Sequence, residues 1–148
     1  MLEESFSEVY RKFKIRYYQN VFAQAPDREL SLTTIEAFCV EIIGALDNPT
    51  INEFASFINI SSPNATYRVN SLIQKGYLEK VQSETDKREY HLRVTDKYYK
   101  YYNLSQNYVN TVLERVKKQC SKEDVEAFER VLYTMKEELM PEVDFKHE

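Results

Sequence analysis

Side chains able to hydrogen-bond the edges of base pairs recur at helical spacing between residues 62 and 75. Asn64, Thr66, Tyr67, Asn70, Ser71 and Gln74 share one side of this stretch, while Ala65, Val69, Leu72 and Ile73 share the other. An apolar stripe at this period packs inward and leaves the opposite face to solvent or to a partner. Uncharged amides and hydroxyls are what major-groove readout requires, because each base pair displays its own pattern of donors and acceptors there. A solvated helix face has a similar composition, so the strip alone does not separate the two readings. The following residues do. A charged tip, Thr85-Asp86-Lys87-Arg88-Glu89, lies between two runs, 77–81 and 90–94, that alternate apolar and polar residues as half-buried strands do. Arg88 carries a planar, weakly hydrated guanidinium suited to a minor groove, and Asp86, two residues earlier, is placed to hold it in one direction.

These groups need a frame, and the chain supplies about six helices and one hairpin. Leu2, Phe6, Val9, Phe13, Tyr17 and Val21 predict a first helix from Leu2 to Ala25, ended by Pro26-Asp27. Thr33 and Glu36 form a capping box that opens the second helix, which fades at Leu46-Asp47-Asn48-Pro49. A second box, Thr50 with Glu53, opens the third helix, carrying Phe54, Ala55 and Ile58. Ser62 as cap and Pro63 at the first helical position predict the start of the fourth helix, and Gly76 is its left-handed terminator. The third helix, a short turn and the fourth helix make a helix-turn-helix, and the hairpin after Gly76 makes a wing. Downstream, Tyr98, Tyr101, Tyr102, Ser105, Tyr108, Val109, Val112 and Val116 stripe a long helix from Thr95 to about Lys118. Ser121 then caps a helix with Val125, Phe128, Val131, Leu132, Met135 and Leu139.

Composition bounds the function. The 148 residues hold 43% hydrophobic and 30% charged side chains with only 2 glycines and 4 prolines, the profile of a folded, mainly helical chain. Gly44 and Gly76 are too few for a glycine-rich phosphate loop, and His91 and His147 have no partner at a spacing that proposes a nucleophile. Histidine and cysteine are too scattered for a tetrahedral metal site, so neither an enzyme nor a metal sensor is expected, and no cofactor is. No apolar run approaches the length of a membrane span and Met1-Leu2-Glu3-Glu4 does not open a signal peptide, so a cytoplasmic location is expected. The net charge of −4 is unevenly spread. Residues 61–95 hold six basic against four acidic side chains and residues 96–120 five against two. Residues 121–148 hold nine acids against four bases, and residues 1–60 nine against five. The positive excess lies in the middle, where a polyanion would be met, and it is modest.

Three stretches carry a family likeness: Leu32-Thr33 opening the second helix, Leu72-Ile73-Gln74-Lys75-Gly76-Tyr77-Leu78 ending the fourth, and Asp86-Lys87-Arg88 followed by Leu92-Arg93-Val94-Thr95. Together they resemble the MarR (multiple-antibiotic-resistance regulator) family of winged helix-turn-helix transcription factors, whose wing carries an Asp-x-Arg signature and whose second wing strand leads to a threonine-capped helix. The resemblance implies a mainly α fold with a small β-hairpin wing. It also implies three parts: an N-terminal dimerisation helix (1–30), a DNA-binding winged unit (31–95) and C-terminal dimerisation helices (96–148). The implied protein is a homodimeric transcriptional regulator, a repressor, reading a pseudo-palindromic operator in double-stranded DNA. The long terminal helices support pairing independently, having no other domain in the chain to pack on. The DNA-contacting candidates are Ser62, Asn64, Thr66, Tyr67, Arg68 and Asn70 on the helix and Lys87 and Arg88 in the wing, with Asp86 orienting Arg88. The fourth helix departs from the family by holding a single arginine, Arg68, and a tyrosine at 67, so particular base contacts do not carry over. A small aromatic or lipophilic effector is a further partner that the resemblance allows, with Tyr17, Tyr18, Phe38 and Tyr98 as candidate lining. Two alternatives stay open: a winged helix used as a protein-interaction module, and a thiol-based redox regulator acting through Cys39 or Cys120. Cys39 falls at an apolar-facing position, which favours a buried, inert thiol.

Overall fold

The computed structural model describes residues 1–23 and 32–145, and the side chains of Val21 and of residues 101–105 lie outside that description. Six helices and a two-stranded sheet follow in the order α1 (Leu2–Ala23), α2 (Thr34–Leu46), α3 (Ile51–Ile58), α4 (Ser62–Gln74), β1 (Leu78–Gln82), β2 (Tyr90–Val94), α5 (Asp96–Gln119) and α6 (Lys122–Thr134). A π-helical turn, Met135–Leu139, extends α6. Mainly α with a hairpin wing is therefore the architecture. The expected α1 terminus at Ala25-Pro26-Asp27 lies outside the described residues, as do the side chains of Tyr101, Tyr102 and Ser105 in the α5 stripe.

The caps explain most of the boundaries. Thr33 Oγ1 accepts from the Glu36 N–H while the Glu36 carboxylate accepts from the Thr33 N–H, the complete reciprocal box. Thr50 accepts from the Glu53 N–H to start α3, and Ser121 accepts from Asp124 to start α6. Two expectations need correction. The cap of α4 is Ser61, whose Oγ accepts from the Asn64 N–H, with Ser62 as the first helical residue and Pro63 the second. A proline tolerates either position, since neither N–H has an intrahelical partner to lose. At α5, Thr95 is the cap residue but makes no capping hydrogen bond. Its hydroxyl instead donates to the Gly76 carbonyl at 2.6 Å.

Val40, Ile43, Phe54, Ala65, Val69, Leu72, Tyr77, Leu78 and Leu92 form one core beneath α2, α3, α4 and the hairpin. Tyr98, from the first turn of α5, is buried in the same cluster and lies against Gly44. The hairpin is antiparallel, pairing Leu78 with Val94 through Gln82 with Tyr90. Its second strand is pinned to the α2–α3 connection, where the Leu92 N–H donates to the Pro49 carbonyl at 2.7 Å. α1 lies along α5, with Phe13 edge-on to Tyr108 at 5.8 Å. The outer faces of the long helices stay bare in the single chain: Leu2, Phe6 and Val9 on α1 and Phe128, Val131 and Leu132 on α6 are exposed. No helix among the described residues is long and apolar enough to cross a membrane.

The α4–β1 turn is held by its backbone. Gly76 donates to the Ile73 carbonyl and Tyr77 to the Leu72 carbonyl, the paired bonds of a Schellman motif, and both flanking side chains, Leu72 and Tyr77, are fully buried. Gly76 sits at φ +83°, and an added Cβ would meet only Lys97 Cδ at 3.9 Å. The cost of a side chain there is thus conformational and not steric. Gly76→Ala is expected to lower unfolding free energy by about 1–2 kcal/mol in urea titrations. An unchanged midpoint would contradict the assignment of this turn.

Candidate nucleic-acid interface

Along α4 the apolar face is consumed by the core, since Ala65, Val69 and Leu72 are fully buried. That fixes which residues face outward. Ser62, Asn64, Asn70 and Gln74 are exposed, Thr66 and Arg68 are half-buried, and Tyr67 is 71% exposed. An aromatic ring left this far in water is unusual in a packed helix and offers both a flat apolar surface and a hydroxyl. Ser62 Oγ donates to Asn52 Oδ1 of α3 at 3.4 Å, which draws an α3 side chain to the head of α4 that sequence reasoning did not single out. Ser71 departs from the strip: it turns inward, and its hydroxyl donates to Glu36 Oε2 at 3.0 Å.

The wing tip is an ordered hydrogen-bonded loop. The Ser83 N–H donates to the Glu89 carbonyl at 2.9 Å, and Gln82 Nε2 donates to the Lys87 carbonyl at 2.7 Å. Asp86 Oδ1 accepts from the Arg88 backbone N–H at 3.0 Å and from Nε at 3.2 Å, while Oδ2 accepts from Nη2 at 3.4 Å. This fork points Arg88 outward, its side chain 92% exposed. The backbone and side-chain bonds from Arg88 hold the Asp86 carboxyl below the ordinary carboxylate range, so it stays charged. Lys87 is exposed beside it. Charge elsewhere in residues 61–95 is partly neutralised: Arg93 pairs across the strands with Glu79 at 2.7 Å, and Lys75 with Glu36 at 2.7 Å. Glu79 is already among the acids counted in residues 61–95, whereas Glu36 is not, so it is the Lys75–Glu36 pair that lowers the basic excess offered near α4.

Behind this face a cavity of about 380 Å³ lies between α1, α2 and α5. Tyr17, Tyr18 and Phe38 line it together with Phe13, Glu41 and Tyr108, so three of the four candidate aromatic residues converge. Tyr98 does not; it belongs to the winged core. Burial raises the Tyr17 phenol well above its usual range, and the charge and hydrogen bond of Glu41 raise it further. Glu41 remains solvent-exposed as a residue, yet the protein packed around its carboxyl pushes it upward, offset in part by the Tyr17 hydroxyl. Cys39 is buried, which raises its thiol and makes it a poor nucleophile, whereas Cys120 is exposed. Among the described residues no three or more His, Cys, Asp or Glu side chains converge as a metal site would require.

Comparison with known proteins finds likenesses over part of the sequence and over most of the fold. The model of the MarR family matches residues 32–90. HTH-type transcriptional regulator BilQ of Clostridioides difficile (strain CD3) is 36% identical over 50 residues, a stretch spanning 34% of this chain and 34% of that protein. Among solved structures, Streptococcus pneumoniae FabT in complex with DNA superposes with a TM-score of 0.61 at 21% identity, covering 93% of this chain and 94% of that one. A MarR family protein from Bacillus stearothermophilus gives 0.65 at 17% identity, covering 93% and 92%. A mutant of S. aureus MepR bound to an oligodeoxyribonucleotide gives 0.55 at 17%, covering 95% and 99%. At these identities the structures share the fold.

Glu36, legible in sequence only as a capping residue, is the buried acid beneath the site, 5% exposed. Burial alone would raise its carboxyl, but the hydrogen bonds from Lys75, Thr33 and Ser71 outweigh it and hold the group below the usual carboxylate value. A carboxyl depressed in the folded state contributes stability that is present above the unfolded value and lost as pH falls toward the folded one. Urea unfolding of the wild type is expected to lose stability more steeply below about pH 4.3 than that of Glu36→Gln. Parallel acid limbs for the two proteins would overturn this.

Proposed function

We propose that this chain, whose residues 32–90 match the model of the MarR family, is a homodimeric repressor of that family that reads a pseudo-palindromic operator in duplex DNA. The family consists of transcriptional regulators and not enzymes. One observation carries the reading: an exposed strip of hydrogen-bonding side chains on α4 stands next to an outward-aimed arginine braced by Asp86. In the proposed complex the N-terminal half of α4 lies in the major groove. Asn64, Thr66, Tyr67 and Asn70 meet base edges, with Tyr67 presenting its ring to a thymine methyl or its hydroxyl to an acceptor. Ser62 and Arg68 take the flanking backbone, the helix N-terminus adding its own favourable field for phosphate. Arg88, aimed by Asp86, reaches the minor groove, where a narrow width concentrates negative potential, and Lys87 contacts phosphate.

Residues 1–30 and 96–148 are proposed to pair two copies. The support is the run of apolar side chains left exposed on α1 and α6, since contiguous exposed apolar patches mark interaction sites. A two-fold axis through these helices would set the two α4 helices about 34–36 Å apart, one turn of DNA. The acidic excess of residues 121–148 would then lie away from the duplex. A small aromatic or lipophilic effector is proposed for the cavity between α1, α2 and α5, whose aromatic walls suit it; by widening the angle between these helices it would release DNA.

Fluorescence anisotropy with duplexes from the DNA next to its gene tests the reading. Nanomolar binding is expected, with affinity falling steeply as salt rises. Arg88→Ala should weaken it by about tenfold or more, and Asp86→Ala by less, since it removes aim but not charge. Binding that ignores salt, or that survives Arg88→Ala intact, would defeat the proposal.

A further inference from the structure

Glu36 does more than a helix cap requires. Its Oε1 accepts from the Thr33 N–H at 3.2 Å and from Lys75 Nζ at 2.7 Å, and its Oε2 accepts from Ser71 Oγ at 3.0 Å. A buried carboxylate is costly unless paired and hydrogen-bonded, and here both oxygens are used. Two of the three donors come from the last turn of α4 and its C-cap, 35 and 39 residues away in the chain. Lys75 is also tied to α5, because its carbonyl accepts from Lys97 Nζ at 2.8 Å.

Ala65, Val69 and Leu72 are fully buried and Ile73 packs against the same core, so the apolar face decides which side of α4 points outward. Apolar contacts are non-directional, and the finer rotation of the helix rests on other groups. Hydrogen bonds are directional, and two of them converging on one carboxylate are not so tolerant. Ser71 lies one residue beyond Asn70 and four beyond Tyr67, so a turn of the helix at Ser71 moves the whole outward strip with it. Resting on the reading of α4 as the DNA-reading helix, we propose that Glu36 is a positioning residue that sets the rotation of α4 through Ser71 and Lys75. It thereby determines which bases the strip distinguishes, and does so without touching DNA. The Lys75 charge is engaged by Glu36 and is not a phosphate contact in this arrangement.

The test uses the full chain and two duplexes: one selected by the wild-type protein from a random pool, and a scrambled duplex of equal length and composition. Three variants are compared. Glu36→Gln removes the charge and keeps the shape. Glu36→Gln/Lys75→Met removes the pair without stranding either charge. Ser71→Ala removes one donor from the partly exposed side and serves if either of the others fails to fold by circular dichroism. The readout is the ratio of Kd on the scrambled duplex to Kd on the selected one, which a general loss of stability does not move at temperatures where the variant is folded. The ratio is expected to fall by about tenfold, the worth of one misread base pair, with affinity for the scrambled duplex nearly constant. An unchanged ratio overturns the proposal. So does Glu36→Gln tightening binding to both duplexes, which would make Lys75 a phosphate ligand masked by Glu36. If the wild type enriches no duplex at all, the DNA reading itself has failed, and the positioning role falls with it.

Discussion

The turn at Lys75, Gly76 and Tyr77 is the constraint on which the rest of the winged unit depends. Three successive residues there connect α4, β1 and the start of α5. The Lys75 carbonyl takes the Lys97 ammonium of α5, the Gly76 carbonyl takes the Thr95 hydroxyl, and the Tyr77 carbonyl takes the Thr95 N–H. Tyr77 itself is fully buried, with the Lys97 ammonium 4.5 Å from its ring centre. Only a residue at ease with positive φ reverses the chain sharply enough to drop Tyr77 into the core one step after α4 ends. The helix that carries the polar strip, the strand that carries the wing and the helix leading out toward α6 all take their directions from this point.

A second tie operates at the other edge of the hairpin. Leu92 donates to the Pro49 carbonyl and His91 Nδ1 lies 2.8 Å from the Asn48 carbonyl, so the wing is anchored to the α2–α3 connection as well as to α4. The same connection contains two residues in the left-handed region, Asp47 and Asn48, which lets α2 stop and the chain turn toward α3. A two-stranded hairpin is marginal alone. Here its stability comes from Leu78 and Leu92, which enter the shared core, leaving the tip free to be shaped by Asp86 and Arg88. The wing is thus anchored at its base and polar at its end.

The aromatic cavity and the winged core meet along α2. Glu36 and Val40 face α4 and the core, while Phe38 and Glu41 face α1 and α5 across the cavity. One helix therefore borders both the proposed ligand space and the helix proposed to read DNA. This arrangement gives a physical route for coupling, because a packed helix responds as a unit and its two faces cannot be displaced independently.

Much of this was legible in the residues themselves. Local chemistry determined the helices, the caps at Thr33, Thr50 and Ser121, the Gly76 turn, the hairpin and its Asp86–Arg88 tip, because each depends on groups within a few positions of one another. Hydrophobic period likewise determined which face of α4 is buried and hence which side chains face outward. What required the tertiary structure were contacts between residues far apart in sequence. Thr95 gave its hydroxyl to Gly76 instead of its own helix, Ser71 left the polar strip for Glu36, and Tyr98 joined the winged core and not the aromatic cavity. Each of these turns on a partner that the linear pattern does not contain: a polar or aromatic side chain at a boundary goes to whichever neighbour the fold brings within reach, and only packing decides which neighbour that is.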